Sequence, residues 1–240
     1  MALFLVCFLI QAVGSPARKS QKVQLKTENG WSLSADFTPP KKDASTFILL
    51  HGLGAGKGEW QNFRSAAHEK GYGTFALDLR GHGESTQGPQ GKREYPSFSE
   101  VDWNNVAQDV DAALGFLKKK GIPERKVVLM GASIGANIAI HAAVIHPKIE
   151  KVILLSPGRD YQGVVTEGVL AQYGSRPLLV AASVADSYAF SSAKTLFDQA
   201  QHFHIPVAFV QASQGHGVRL FEGDEGTEIL KQVLHWCQRH

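Results

Sequence analysis

The spacing of apolar positions changes along the chain in a way that separates strands from helices. Residues 23–26 and 31–37 alternate apolar with polar side chains, the period of a strand covered on one face. Asn29-Gly30 between them is a hairpin turn signal. Mainly apolar runs follow at 46–50, 74–77, 126–130, 151–155, 177–182 and 206–210, the pattern of strands buried on both faces. Between and after them the spacing predicts helices over 59–70, 101–120, 134–146, 187–200 and 224–238. In the second, Val106, Val110, Ala113, Leu114 and Leu117 recur at helical intervals before Gly121 and Pro123 end it. Such alternation predicts right-handed crossovers and an α/β fold. Its central sheet is mostly parallel, with an N-terminal antiparallel hairpin and helices on both faces. No repeat, low-complexity tract or linker interrupts it, so residues 15–240 read as a single domain.

The first residues break this pattern. Residues 1–13 are apolar apart from Gln11, and Gly14-Ser15-Pro16-Ala17-Arg18-Lys19 follows. Thirteen helical residues would span about 20 Å, short of the roughly 30 Å hydrocarbon core, so no integral membrane span is expected. The length suits the apolar region of an export signal, and Ala12-Val13-Gly14 places small residues at −3 and −1 for cleavage before Ser15. No Lys or Arg precedes the run, which leaves an uncleaved interfacial anchor as the alternative. Residues 1–14 are therefore read as a signal peptide or N-terminal anchor. The expectation is an exported protein, secreted or periplasmic, with cytoplasmic or membrane-anchored locations as alternatives.

Charge and cysteine content narrow the partners. Lys and Arg total 25 against 22 Asp and Glu, a net +3 that is scattered rather than banded, and no nucleic-acid partner is expected. Two cysteines make neither a disulfide scaffold nor a zinc motif. No cofactor and no metal are expected.

In a parallel sheet the chemistry collects beyond the carboxyl ends of the strands. The run 126–130 is followed by Gly131-Ala132-Ser133-Ile134-Gly135, a G-x-S-x-G between strand and helix that would lift Ser133 on a sharp turn. A capping serine in a glycine-lined turn is the simpler reading. The run 46–50 leads to His51-Gly52-Leu53-Gly54-Ala55-Gly56, which lacks the endings of a P-loop and the spacing of a dinucleotide fingerprint. With a nucleophile at Ser133, the amides of Leu53 and Ile134 would converge on a developing oxyanion. A serine hydroxyl needs an imidazole to take its proton, and the imidazole needs a carboxylate to hold its tautomer. Asp186 follows the run 177–182, and His216 lies in a glycine-flanked loop after 206–210. Asp160 is the rival acid, and Asp186 also fits as the cap of a helix opening at Ser187.

Together these segments resemble serine hydrolases of the α/β-hydrolase fold, close to the esterase and monoacylglycerol-lipase-like branch. The resemblance covers nearly all of residues 22–240. It rests on His51-Gly52-Leu53-Gly54, on Asp78-Leu79-Arg80-Gly81-His82-Gly83-Glu84-Ser85, on Gly131-Ala132-Ser133-Ile134-Gly135, and on Asp186 and His216. It implies a catalytic triad of Ser133, Asp186 and His216, and a structural role for Asp78 and His82. Many relatives carry a helical cap before the strand bearing the acid. Here about 21 residues separate Leu155 from Pro177, room for one short helix and not for a lid domain. The glycine-, proline- and lysine-bearing segment 86–99 reads as a loop over the site entrance. The expected activity is hydrolysis of small-molecule esters with short or exposed acyl groups, through an acyl-enzyme. Thioester or amide hydrolysis, acyl transfer by the same triad, and a non-catalytic ligand-binding relative are the alternatives.

Overall fold

The computed structural model describes residues 19–240. The segment 1–14, where the export signal or anchor is expected, lies outside them. In chain order the elements are β1 (Gln21–Lys26), β2 (Ser32–Thr38), β3 (Thr46–Leu50), α1 (Gln61–Glu69), β4 (Gly73–Leu77), β5 (Gln87–Gly88), β6 (Gly91–Lys92), α2 (Glu100–Asn104) and α3 (Gln108–Lys119). They continue with β7 (Val127–Ala132), α4 (Ile134–Ile145), β8 (Lys151–Leu155), β9 (Asp160–Tyr161), β10 (Val164–Val165), β11 (Leu178–Ser183), α5 (Ser187–His202), β12 (Val207–Ala212) and α6 (Gly223–Arg239).

One sheet of ten strands runs in the order β12-β11-β8-β7-β3-β4-β2-β5-β6, with β1 paired to β2. From β12 to β4 every neighbouring pair is parallel, whereas β2 runs antiparallel to both β1 and β4. Alternate residues of each central strand point to opposite faces. Ile48 and Leu50 join one core with α3, α4 and α5, while Phe47 and Leu49 join a second with α1 and α6. Because both faces are covered, β3, β4, β7 and β11 are buried at every position, which is why they read as unbroken apolar runs. α4 is buried nearly all round, consistent with its Gly-Ala-Ile composition.

Two segments differ from the sequence expectation. The helix expected over 101–120 is broken: α2 and α3 are separated by a 3-10 turn at Asn105–Ala107. Asn104 and Asn105 donate their side-chain amides to the carbonyls of Glu100 and Val101 at 2.9 Å, so local side-chain bonds compete with the helical ladder there. The segment 86–99 is not simply a loop over the entrance. Its β5–β6 hairpin extends the sheet beyond β2, and Tyr95 is the part that approaches the glycine-rich loop, at Gly54. Between Leu155 and Pro177 stand the small β9–β10 hairpin and a 3-10 turn at Val169–Gln172, with no helical cap. No helix among the described residues is long and apolar enough to cross a membrane.

The Asp78-to-Ser85 segment is a hydrogen-bonded knot. The Asp78 carboxylate accepts the amides of Lys57 and Glu84 at 2.7 and 3.0 Å and pairs with the Lys57 ammonium. Next to it the buried Arg80 guanidinium donates through Nε to Asp109 at 2.7 Å, and the Arg80 amide donates to the same carboxylate at 2.8 Å. Asp109 lies on α3, so this pair ties the loop after β4 to the helical layer. Truncating one partner would strand a buried charge. Asp109→Ala is expected to lower stability by about 3–5 kcal/mol, read as a reduced midpoint in urea unfolding.

Candidate active site

Ser133 connects β7 to α4 with φ 55° and ψ −124°, a strained conformation for a non-glycine residue. The flanking glycines make that turn feasible. A Cβ on Gly131 would lie 2.0 Å from the Gly135 carbonyl oxygen, and one on Gly135 would lie 2.3 Å from that of Leu50. The Ser133 amide donates to the Leu155 carbonyl at 2.8 Å, and its side chain makes no capping bond to α4. The hydroxyl is thus not spent on the helix, contrary to the capping alternative.

Asp186 follows β11 and does two things with one carboxylate. Oδ1 accepts the Ala189 amide at 3.1 Å and caps α5, while Oδ2 accepts a hydrogen bond from His216 Nδ1. Capping and pairing therefore coexist. His216 sits in the loop after β12, held on both sides by serines. Ser183 Oγ donates to the Gly215 carbonyl at 2.6 Å, and the Gly217 amide donates to Ser156 Oγ at 2.9 Å. Gly217 packs against the elbow itself, since a Cβ there would lie 3.2 Å from that of Ala132. Asp160, the rival acid, instead accepts the Gly163 amide at 2.8 Å within the β9–β10 turn.

The glycine-rich loop after β3 lies on the other flank of β7. His51 organises it from within. Its Nε2 accepts the Leu79 amide at 3.0 Å, so its Nδ1 carries the proton and donates to the Gly52 carbonyl at 2.7 Å. Burial, reinforced by nearby His82, pulls the His51 pKa down to about 4, and the ring stays neutral. Gly52 closes over Ser133, for a Cβ on it would lie 3.5 Å from Ser133 Cβ. Leu53 follows, and Ile134 opens α4 beside Ser133. Among the described residues neither backbone N–H is committed to an acceptor. His82 stacks on Tyr95 with ring centroids 4.2 Å apart and packs in the support of this loop.

The sequence did not single out several residues at this place. Ser156 and Ser183, at the ends of β8 and β11, lie inside or beside apolar runs that gave no sign of their hydrogen bonds. Tyr161 donates its hydroxyl to the Ser156 carbonyl at 3.5 Å, and its ring meets His216 edge-on at 6.4 Å. Only the neighbouring Gln162-Gly163 pair carried a turn signal. Glu59 accepts the Gly52 amide at 2.9 Å and so anchors the glycine-rich loop. Among the described residues no group of three His, Cys, Asp or Glu side chains could hold a metal ion.

A mostly parallel sheet, a nucleophile-type elbow after a central strand, and acid and imidazole on later strand ends define a serine hydrolase of the α/β-hydrolase fold. Residues 41–179, more than half of the chain, match the serine aminopeptidase S33 family, and the chain belongs to it. Among curated proteins it is similar to protein phosphatase methylesterase 1 of Schizosaccharomyces pombe, 26% identical over 130 residues. That match takes in 51% of this chain and 36% of the methylesterase, so the chain spans about a third of that relative's length. Among solved structures it resembles an esterase of Pyrococcus furiosus, with TM-score 0.74, 19% identity, and coverage of 92% of this chain and 91% of the other. A dienelactone hydrolase of Anabaena variabilis gives TM-score 0.73 at 16% identity, covering 93% of this chain and 99% of the other. At those identities the likeness speaks for the fold.

The Glu59 anchor carries a pH signature. Burial raises its pKa from 4.5 to about 7, although the Gly52 amide works against the shift. The native state therefore holds a proton that the unfolded chain releases. Its contribution is complete below about pH 4.5 and is lost as pH rises through about 7. Glu59→Gln keeps an acceptor for Gly52 and removes this titration. Relative to the variant, the wild type is expected to lose on the order of 2 kcal/mol between pH 5 and pH 8 in urea unfolding.

Proposed function

We propose that this chain is a serine-dependent carboxylic ester hydrolase with Ser133, His216 and Asp186 as its triad. The observation that carries the reading is a strained, uncapped Ser133 after β7 together with a carboxylate-bound His216 after β12, whose neighbour Gly217 packs against the elbow at Ala132. With Nδ1–H given to Asp186, His216 Nε2 is left as the base that takes the Ser133 proton. Attack of Oγ on the carbonyl carbon yields a tetrahedral adduct, whose oxyanion is held by the amides of Leu53 and Ile134. Collapse of the adduct expels the alcohol with a proton returned from His216. Water activated by the same imidazole then releases the acid.

Ester chemistry is favoured by the methylesterase relative and by the esterase among the structural neighbours. An amide substrate is the second reading, favoured by the aminopeptidase description of the family. The scale of the substrate follows from the missing cap. Among the described residues the β9–β10 hairpin, one 3-10 turn and Tyr95 stand at this end of the sheet, and no helical cap encloses a long acyl chain. Short-chain or exposed acyl esters fit such an opening.

A p-nitrophenyl ester series from acetate to palmitate, run beside p-nitroanilides, tests both points. Ser133→Ala is expected to lower kcat by at least about 10³-fold, and the wild type to prefer the short esters. Undiminished hydrolysis by Ser133→Ala would remove Ser133 as the nucleophile, and a palmitate optimum would contradict the open site. Asp186→Asn retains the cap of α5 while misorienting His216, so it is expected to lose about 10⁴-fold in kcat with little change in melting temperature.

A further inference from the structure

The triad leaves one polar group at the nucleophile without a role, the hydroxyl of Tyr161. We propose that Tyr161 is a further catalytic residue, donating a hydrogen bond to the leaving-group oxygen while His216 delivers the proton to it. The inference rests on the ester-hydrolase reading above.

Position is the first ground. The Tyr161 ring stands edge-on to His216, with centroids 6.4 Å apart and an interplanar angle of 86°, and its hydroxyl meets the Ser156 carbonyl, next in the chain to the Leu155 carbonyl that accepts the Ser133 amide. The sheet order separates the two sides of the nucleophile. Leu53 follows β3 on one flank of β7, whereas Tyr161 follows β8 on the other flank, with β11 and β12 and their Asp186 and His216 beyond. A carbonyl oxygen seated on the Leu53 and Ile134 amides directs the departing alcohol toward His216, which is the side that Tyr161 occupies.

The hydroxyl is also held there by a built support. The Gly158 position admits no side chain, since a Cβ would lie 2.4 Å from the Tyr161 ring. Gln162 and Gly163, with φ of 56° and 81°, make the tight turn that reverses the hairpin after Tyr161. The buried Asn137 of α4 clips this hairpin to the elbow helix. It donates to the carbonyls of Gly158 and Val164 at 2.9 and 2.7 Å and accepts the Gly158 amide at 3.0 Å. Tyr188 fastens the preceding residue, accepting the Asp160 amide at 3.0 Å and donating to its carbonyl at 2.7 Å.

Finally, the one proton of the hydroxyl is only weakly engaged. Its contact with the Ser156 carbonyl is 3.5 Å, at the limit of a hydrogen bond. Burial, and then the Asp186 charge, push the phenol up to about 12 against the opposing influence of Ser133, so it keeps its proton at working pH. In acylation the Ser133 proton passes to His216 as the Oγ–C bond forms. The C–O bond to the alcohol then breaks, its electron pair leaves on the alcohol oxygen, and His216 returns the proton there. Tyr161 retains its own proton and stabilises the charge on the departing oxygen.

The dependence on leaving group is the test. kcat/KM, which reports acylation, is measured for wild type and Tyr161→Phe on acetate esters of p-nitrophenol, phenol, trifluoroethanol and ethanol. Tyr161→Phe is expected to lose about 10²-fold on ethyl acetate and less than about threefold on p-nitrophenyl acetate, which departs without help. Labelling of Ser133 by a fluorophosphonate, whose fluoride also departs unaided, is expected to keep its rate and report an intact site. 3-Fluorotyrosine at position 161, a stronger donor of nearly the same shape, is expected to shift the series the opposite way. Equal losses across the series, or none, with labelling retained would overturn the role of Tyr161 and leave the ester hydrolase standing. Wild type that neither labels nor hydrolyses any of the esters would overturn both.

Discussion

Where α4 meets β3, backbone lies against backbone with no space for a methyl group between them. Gly135 packs on the Leu50 carbonyl, and Gly131 packs on the carbonyl of Gly135. This approach sets how close the elbow helix sits to the sheet, and it leaves the chain a single residue in which to turn from strand into helix. Ser133 takes that turn at φ 55°, a conformation that costs on the order of 1–3 kcal/mol in a non-glycine residue. The cost is tolerated because β7 is buried at every position and hydrogen-bonded on both sides, to β3 and β8. The position of the start of α4, the uncommitted Ile134 amide and the uncapped Ser133 hydroxyl all follow from that one packing constraint.

The rest of the site is assembled sideways from neighbouring strand ends. Ser156 and Ser183 bind the His216 loop through backbone groups, and Asn137 binds the β9–β10 hairpin in the same manner. These are fully buried or nearly buried polar groups with satisfied partners, the arrangement that fixes geometry most firmly. The glycine-rich loop hangs differently. It depends on the neutral His51 ring and on the Glu59 carboxylate, so the two flanks of Ser133 are stabilised by separate sets of contacts.

Much of this was legible in the chain because burial on both faces leaves a plain record. The central strands lie within a residue or two of their apolar runs, and the acid and imidazole sit where those runs stop. Elements too short to show a period left no such record. β5, β6, β9 and β10 have two residues each, too few to show alternation. The break between α2 and α3 was hidden because apolar spacing ignores what asparagine side chains do to nearby carbonyls. Tyr161 was hidden for a related reason. Nothing in its spacing shows that the chain folds back over Gly158 to bring the ring beside Ser133. Asp186 had two readings in sequence, as helix cap and as acid; one carboxylate oxygen caps α5 and the other accepts the hydrogen bond from His216.

That union has a mechanical meaning. The carboxylate that faces the imidazole is pinned by its other oxygen to the first turn of α5, at Ala189. Swinging it away from His216 would also uncap a sixteen-residue helix, at a cost of about 1 kcal/mol. The helix thus acts as a rotational stop on the acid. Orientation of the imidazole is insured by the folding of a distant stretch of chain, and it does not need a lid or a bound ligand to hold it in register.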